Sequence, residues 1–250
     1  MRPHLASSMN PKDSTNPDSL DKPLTLVGHL QELRSRVIKS IFCILICFVF
    51  IFSYAEDLLL FLVKPIGRLV FIAPQEAFTT NIKIVFLASL FLSSPFIIYQ
   101  IWKFVSVGLM PRERKFVLIF GPLSFVFFIL GAGFGYFIIV PIGLRFLLSF
   151  ATEFIPAMIT LSKYISFLAT LVFAFAIVFQ LPLISLFLTK IGIVTPRFLS
   201  EKRRHAVVFI FIIAAMLTPP DVITQILMAL PLLFLYEIGI IFSKLVYHSA

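Results

Sequence analysis

The stretch from Phe116 to Leu144, FVLIFGPLSFVFFILGAGFGYFIIVPIGL, holds no charged side chain, and its reading decides the fold. A helix rises about 1.5 Å per residue and needs roughly 20 apolar residues to cross ~30 Å of hydrocarbon, so this run can cross with length to spare. Open sheet edges would strand backbone donors and acceptors in lipid, so the run must be helical. Uncharged runs lie on both sides of it: Ser40 to Ala55 and Ile84 to Trp102 before, and Tyr164 to Thr189, Ala206 to Pro220 and Val222 to Tyr236 after. A water-facing surface does not fit the composition, which is 60% hydrophobic and 13% charged, with 31 Phe in 250 residues. The pattern predicts an all-α membrane protein with six transmembrane helices.

Basic residues gather in alternate gaps between the runs. With the N-terminus inside, sixteen of the 21 Lys and Arg residues fall on the inner face. Lys103, Arg112, Arg114 and Lys115 lie in one inner loop, and Lys190, Arg197, Lys202, Arg203 and Arg204 in the next. The positive-inside bias predicts an N-in, C-in, multi-pass protein of the cytoplasmic (inner) membrane. It also accounts for the net charge of +9, because basic loops sit well against anionic membrane lipids. Nucleic acid is not an expected partner, since no basic and aromatic surface lies outside the spans.

Residues 1–23 are rich in Pro, Ser, Asn and Asp without an apolar core, and read as a disordered cytoplasmic tail without a cleavable leader. Met9 is a second possible start. Residues 24–246 form one six-helix transmembrane domain, and 247–250 a C-terminal tail. Pro23 to Lys39 reads as a short amphipathic helix before the first span, with Leu26, Leu30, Leu33 and Val37 on one stripe and His29, Glu32 and Arg36 on another face. The outer segments, Glu56 to Thr80 and Arg145 to Lys163, should be turns and short helices on the membrane, broken by Pro65, Gly67, Pro74 and Pro156.

Pro95, Pro122, Pro141, Pro182 and Pro231 fall in or near the spans, so several helices should kink and the bundle should be cup-shaped. Gly131, Gly133 and Gly135 stand in an apolar run and point to close helix packing, not a phosphate loop. The last two uncharged runs would give about 22 Å of helix each, so short fifth and sixth helices are expected. Asp221, after the turn Thr218-Pro219-Pro220, is placed to cap the sixth.

Catalytic constellations are missing from the sequence. The histidines (His4, His29, His205, His248) fall in tails or loops without metal-site spacing. Cys43 and Cys47, one turn apart in the first span, read as packing residues. No enzyme activity, metal or cofactor is expected. Gln180 is a polar group at membrane depth, where it can hydrogen-bond a carbonyl freed by a proline or serve function. On the inner face, Glu32, Glu113 and Glu201 stand among the basic residues. Glu32 can pair with Arg36 at i, i+4, and Glu113 can neutralise Arg112 and Arg114. Equally, each carboxylate can accept a guanidinium from a partner.

Taken in order, several motifs resemble the TatC family, the receptor subunit of the twin-arginine protein translocase. They are HLQELRSR (29–36), EAF (76–78) with Lys83, SPFIIYQIWKF (94–104), Gly108-Leu109, Glu113-Arg114, GYF (135–137), FQLP (179–182), LTPPDVITQ (217–225), Pro231 and Tyr236-Glu237. The resemblance implies a core receptor that binds twin-arginine signal peptides, assembles with single-span TatA/TatB-type subunits into a hetero-oligomer, and exports folded proteins on the proton motive force. It implies that Glu32 and Glu113 accept the arginine pair, with Arg34, Phe104 and Leu109 lining that site. It implies that Pro65 shapes the outer cap, that Thr218 and Gln225 form a docking patch for partner subunits, and that Asp221 matters at the outer turn. Two positions depart from the pattern: Gln180 stands where many relatives carry Glu, and Val107 where a proline is usual.

Two other functions fit six spans. A small-solute secondary transporter would show related halves with broken helices around midplane charges, and neither is evident. A scaffold for membrane proteins would bind partners without preferring Arg-Arg to Lys-Lys.

Overall fold

In a computed structural model the described residues are 26–64, 69–70, 72–110, 113–152, 158–217 and 222–247. They form α1 (Leu26–Phe52), α2 (Ala55–Val63), α3 (Pro74–Val107), α4 (Arg114–Phe134), a π-helical turn (Gly135–Ile139), α5 (Val140–Leu148), α6 (Leu161–Val178), α7 (Leu181–Lys190), α8 (Pro196–Glu201), α9 (Arg203–Leu217) and α10 (Val222–Tyr247). Among the described residues five stretches are long and apolar enough to cross a membrane: Gly28–Phe52, Pro74–Val107, Arg114–Leu148, Leu161–Lys190 and Val222–Tyr247. The tail expected at 1–23, the residues after Tyr247, and Pro65, Thr218 and Asp221 lie outside the described residues.

The first span and the amphipathic segment before it are one helix, α1, not two. No Gly or Pro separates them, and Ser40 Oγ donates back to the Arg36 carbonyl at 3.0 Å across the expected boundary. Leu30, Leu33 and Val37 are exposed, whereas Arg36 is buried. The polar face therefore packs on α3 and the apolar stripe faces outward. That arrangement suits a helix surrounded by lipid, where polar groups gain most from turning onto protein. His29 and His205 lie in α1 and α9 and not in tails or loops.

The sixth helix is not short. Its uncharged run ends at Tyr236, before Glu237, but α10 goes on to Tyr247 and is 26 residues long in all. Glu237 accepts from Arg203 at 2.8 Å, so the charge that ended the run is paired and does not end the helix. α9 is short as expected, with 15 residues, or about 22 Å.

Prolines mark the breaks. Pro141 lacks a donor for the preceding turn, and the backbone just before it widens to i→i+5 pairing, with Val140 N donating to Gly135 O. Pro182 stands in the first turn of α7, and the fourth run parts at Phe179 and Gln180. α6 is the central helix: Ile165, Leu168, Leu171, Phe175 and Ala176 are fully enclosed in the main core. α4 approaches it through glycine. A Cβ on Gly131 would meet the Phe175 carbonyl oxygen at 2.5 Å, and one on Gly135 would meet Val172 Cα at 3.0 Å. A Cβ on Gly133 would meet Phe137 Cδ2 at 4.0 Å, an ordinary contact with a side chain.

The two segments expected on the outer side interlock. Val70 N donates to Ile159 O and Leu161 N donates to Val70 O, at 3.3 and 2.9 Å. The Glu76 carboxylate joins the same seam, accepting from Ile72 N and from Ser162 N, each at 2.9 Å. Tyr164 adds its hydroxyl to the Leu62 carbonyl at 2.9 Å.

Candidate functional site

Of the expected site residues, Glu32, Arg34, Phe104, Leu109 and Glu113 lie where α1 begins and α3 passes into α4. α1 and α3 run side by side, so the first turns of α1 meet the last turns of α3. His29 stacks on Phe104 with ring centroids 4.4 Å apart, and Arg36 Nη1 donates to Gln100 Oε1 at 3.0 Å. Glu32 accepts from Arg36 Nη2, so the i, i+4 pair weighed from sequence is formed. Glu32 nevertheless keeps 37% of its side chain exposed. Arg34 is exposed on the neighbouring face.

α3 reaches Val107, where a proline would have ended it sooner, and Gly108 follows as its C-cap. Leu109 then turns inward beside Trp102, Phe120, Leu183 and Phe187, so it supports the loop from beneath and does not line an open surface. Glu113 stands at the start of α4. Its Oε2 accepts from Met110 N at 3.3 Å, and its own N–H donates to Met110 O at 2.9 Å. Among the described residues it has no ion pair, although Arg114 and Lys115 follow it. The other two carboxylates at this end are paired, Glu201 with Arg197 and Glu237 with Arg203.

Gln180 makes the interhelical bond anticipated for it: Nε2 donates to Ser124 O on α4 at 3.0 Å. That carbonyl is not one freed by proline, because Pro122 and Pro182 leave Leu118 and Val178 without donors. Ser124 is a node missed in the sequence, since its Oγ also accepts from Trp102 Nε1 at 2.7 Å. Gln225 spends its amide within the α9–α10 hairpin, donating to Phe211 O at 3.0 Å.

Gln100 and Glu76 were also missed as structural residues. Gln100 is a polar residue inside an uncharged run, the same signal that singled out Gln180. Glu76 follows Pro74 by two positions, the spacing of a helix start whose third residue caps it.

A bundle with five membrane-crossing lengths, interrupted just before Pro141 and Pro182 and continuous through Pro95, Pro122 and Pro231, is a polytopic α-helical membrane protein. Residues 28–231 match the family model for Sec-independent protein translocase protein (TatC). The chain belongs to the TatC family. It is 42% identical over 231 residues to Sec-independent protein translocase protein TatC of Carboxydothermus hydrogenoformans, covering 90% of this chain and 95% of that one. The TatC of Desulforapulum autotrophicum is 40% identical over 223 residues, covering 86% and 83%. A crystal structure of the twin-arginine translocase receptor TatC superposes with a TM-score of 0.80 at 38% identity, covering 87% of this chain and 99% of that one. The chain is therefore a component of a protein translocase. The secondary-transporter reading is not favoured.

Proposed function

We propose that this chain is the receptor core of a twin-arginine translocase, binding signal peptides through Glu32 and Glu113. The observation that carries the reading is the state of these two carboxylates. Both stand at the α1/α3–α4 end of the bundle, in a field of basic side chains. Glu113 carries no ion pair among the described residues, unlike Glu201 and Glu237, and Glu32, though paired with Arg36 of its own helix, keeps 37% of its side chain exposed. A carboxylate offers a guanidinium strong, charge-assisted hydrogen bonds, and two such acceptors suit two adjacent arginines. Arg34 and Phe104 border the site, and Leu109 sets the loop that carries Glu113.

In this reading the single domain crosses the cytoplasmic membrane six times, N-in and C-in, with α9 as a short fifth crossing and the basic rim against anionic lipids. The α9–α10 hairpin, with Thr218 and Gln225, is where single-span partner subunits dock. The short α9 requires local thinning or shielding by those partners, and folded cargo then crosses on the proton motive force. Pro65 and Asp221 shape the outer side.

The test is photo-crosslinking of a twin-arginine peptide to the folded protein. Glu32→Ala and Glu113→Ala should each reduce crosslinking while detergent-solubilised protein still elutes as a single species. Undiminished crosslinking in both variants would sink the assignment.

A further inference from the structure

Arg36 is the buried cation of this region, with 8% of its surface exposed, and it faces the same carboxylate that the proposed function assigns to an incoming arginine. Its guanidinium is forked between two helices. Nη2 donates to Glu32 Oε1 one turn back on α1, Nη1 donates to Gln100 Oε1 on α3, and Nε is buried without a partner among the described residues. Glu32 Oε2 has no protein partner among the described residues.

We infer that Arg36, fixed by Gln100, is a positioning residue that holds Glu32 with its second oxygen turned toward the signal peptide. The inference rests on the assignment of Glu32 as an acceptor. A guanidinium is planar and rigid, so two anchors on different helices fix its orientation. The carboxylate bonded to it is then fixed too, whereas a half-exposed glutamate without such a partner samples several rotamers. Binding to one oxygen leaves the other for an end-on contact with a peptide arginine. Arg36 is not displaced by that arginine, because losing Glu32 would leave a buried charge held by one neutral amide with Nε still unpaired. The stacked rings of His29 and Phe104 lie one turn away along the same seam and bound the approach on that side.

A double-mutant cycle on the full chain in detergent tests this, with a fluorescent synthetic peptide bearing two consecutive arginines as the probe. Arg36→Gln should weaken peptide binding about tenfold when Glu32 is present and less than about twofold in a Glu32→Gln background. Gln100→Leu should give the same pattern with a smaller loss, and it carries the cycle if Arg36→Gln does not fold. Equal losses in both backgrounds would make Arg36 merely structural and overturn the inference, as would an unchanged or tighter affinity with Glu32 present. If Glu32→Gln alone leaves affinity untouched, the acceptor assignment falls and the inference falls with it. That outcome is distinguishable, because the first two leave the loss at Glu32→Gln intact.

Discussion

Ser124 shows how much a single small polar residue can hold at membrane depth. Its hydroxyl takes the Trp102 indole and its carbonyl takes the Gln180 amide, so α3, α4 and the α6–α7 junction meet on one residue. Ser124→Ala leaves the buried Trp102 N–H without its acceptor and should cost about 1–3 kcal/mol, read as a lower unfolding midpoint in detergent. The Gln180 bond goes to backbone and should survive that change. Gln180→Leu should lose about 1 kcal/mol and leave peptide binding unchanged, since the Gln180 amide bonds the Ser124 backbone and no side chain of the rim carrying Glu32. A loss of peptide affinity on Gln180→Leu would contradict that separation.

Among the elements, the approach of α4 to α6 is the tightest constraint. Gly131 has a backbone carbonyl 2.5 Å from where a Cβ would sit, and a carbonyl on a central helix cannot move aside as a flexible side chain does. Gly131→Ala should therefore destabilise the fold by about 1–3 kcal/mol, whereas Gly133→Ala, whose Cβ would meet only the Phe137 ring at 4.0 Å, should be within about 0.5 kcal/mol of the parent. Thermal unfolding of the two variants side by side checks the contrast. That the glycines pack closely was legible in the sequence; which two of the three do so was not, because the answer depends on where α6 lies. The same limit explains α10. Uncharged runs locate spans by desolvation cost, but Glu237 is paired across the hairpin with Arg203, and pairing between helices leaves no trace in a local window. The composition and charge pattern were enough for an all-helical membrane bundle, and the Glu32–Arg36 spacing was readable as a pair. Gln100 as the third member was not, since it lies on another helix, 64 residues along the chain from Arg36.

For the molecule as a whole, the proposed six-span reading makes α9 the weak point in the membrane. About 22 Å of helix against ~30 Å of hydrocarbon imposes a mismatch at the hairpin where partner subunits are proposed to dock. Inserting four leucines after Ile213 would lengthen the helix by about one turn. The expected outcome is loss of cargo export in vesicles with unchanged peptide affinity, because the rim carrying Glu32 and Glu113 is built by α1, α3 and α4. Export at the parent rate would show that the short helix has no part in transport. The account turns, however, on the two rim carboxylates, and a reciprocal charge exchange measures their role most directly. Glu113→Arg should abolish binding of an Arg-Arg peptide and gain binding of a peptide in which one of the two arginines is replaced by Asp. Retained binding of the Arg-Arg peptide, with no gain for the Asp-bearing peptide in either order, would contradict the account.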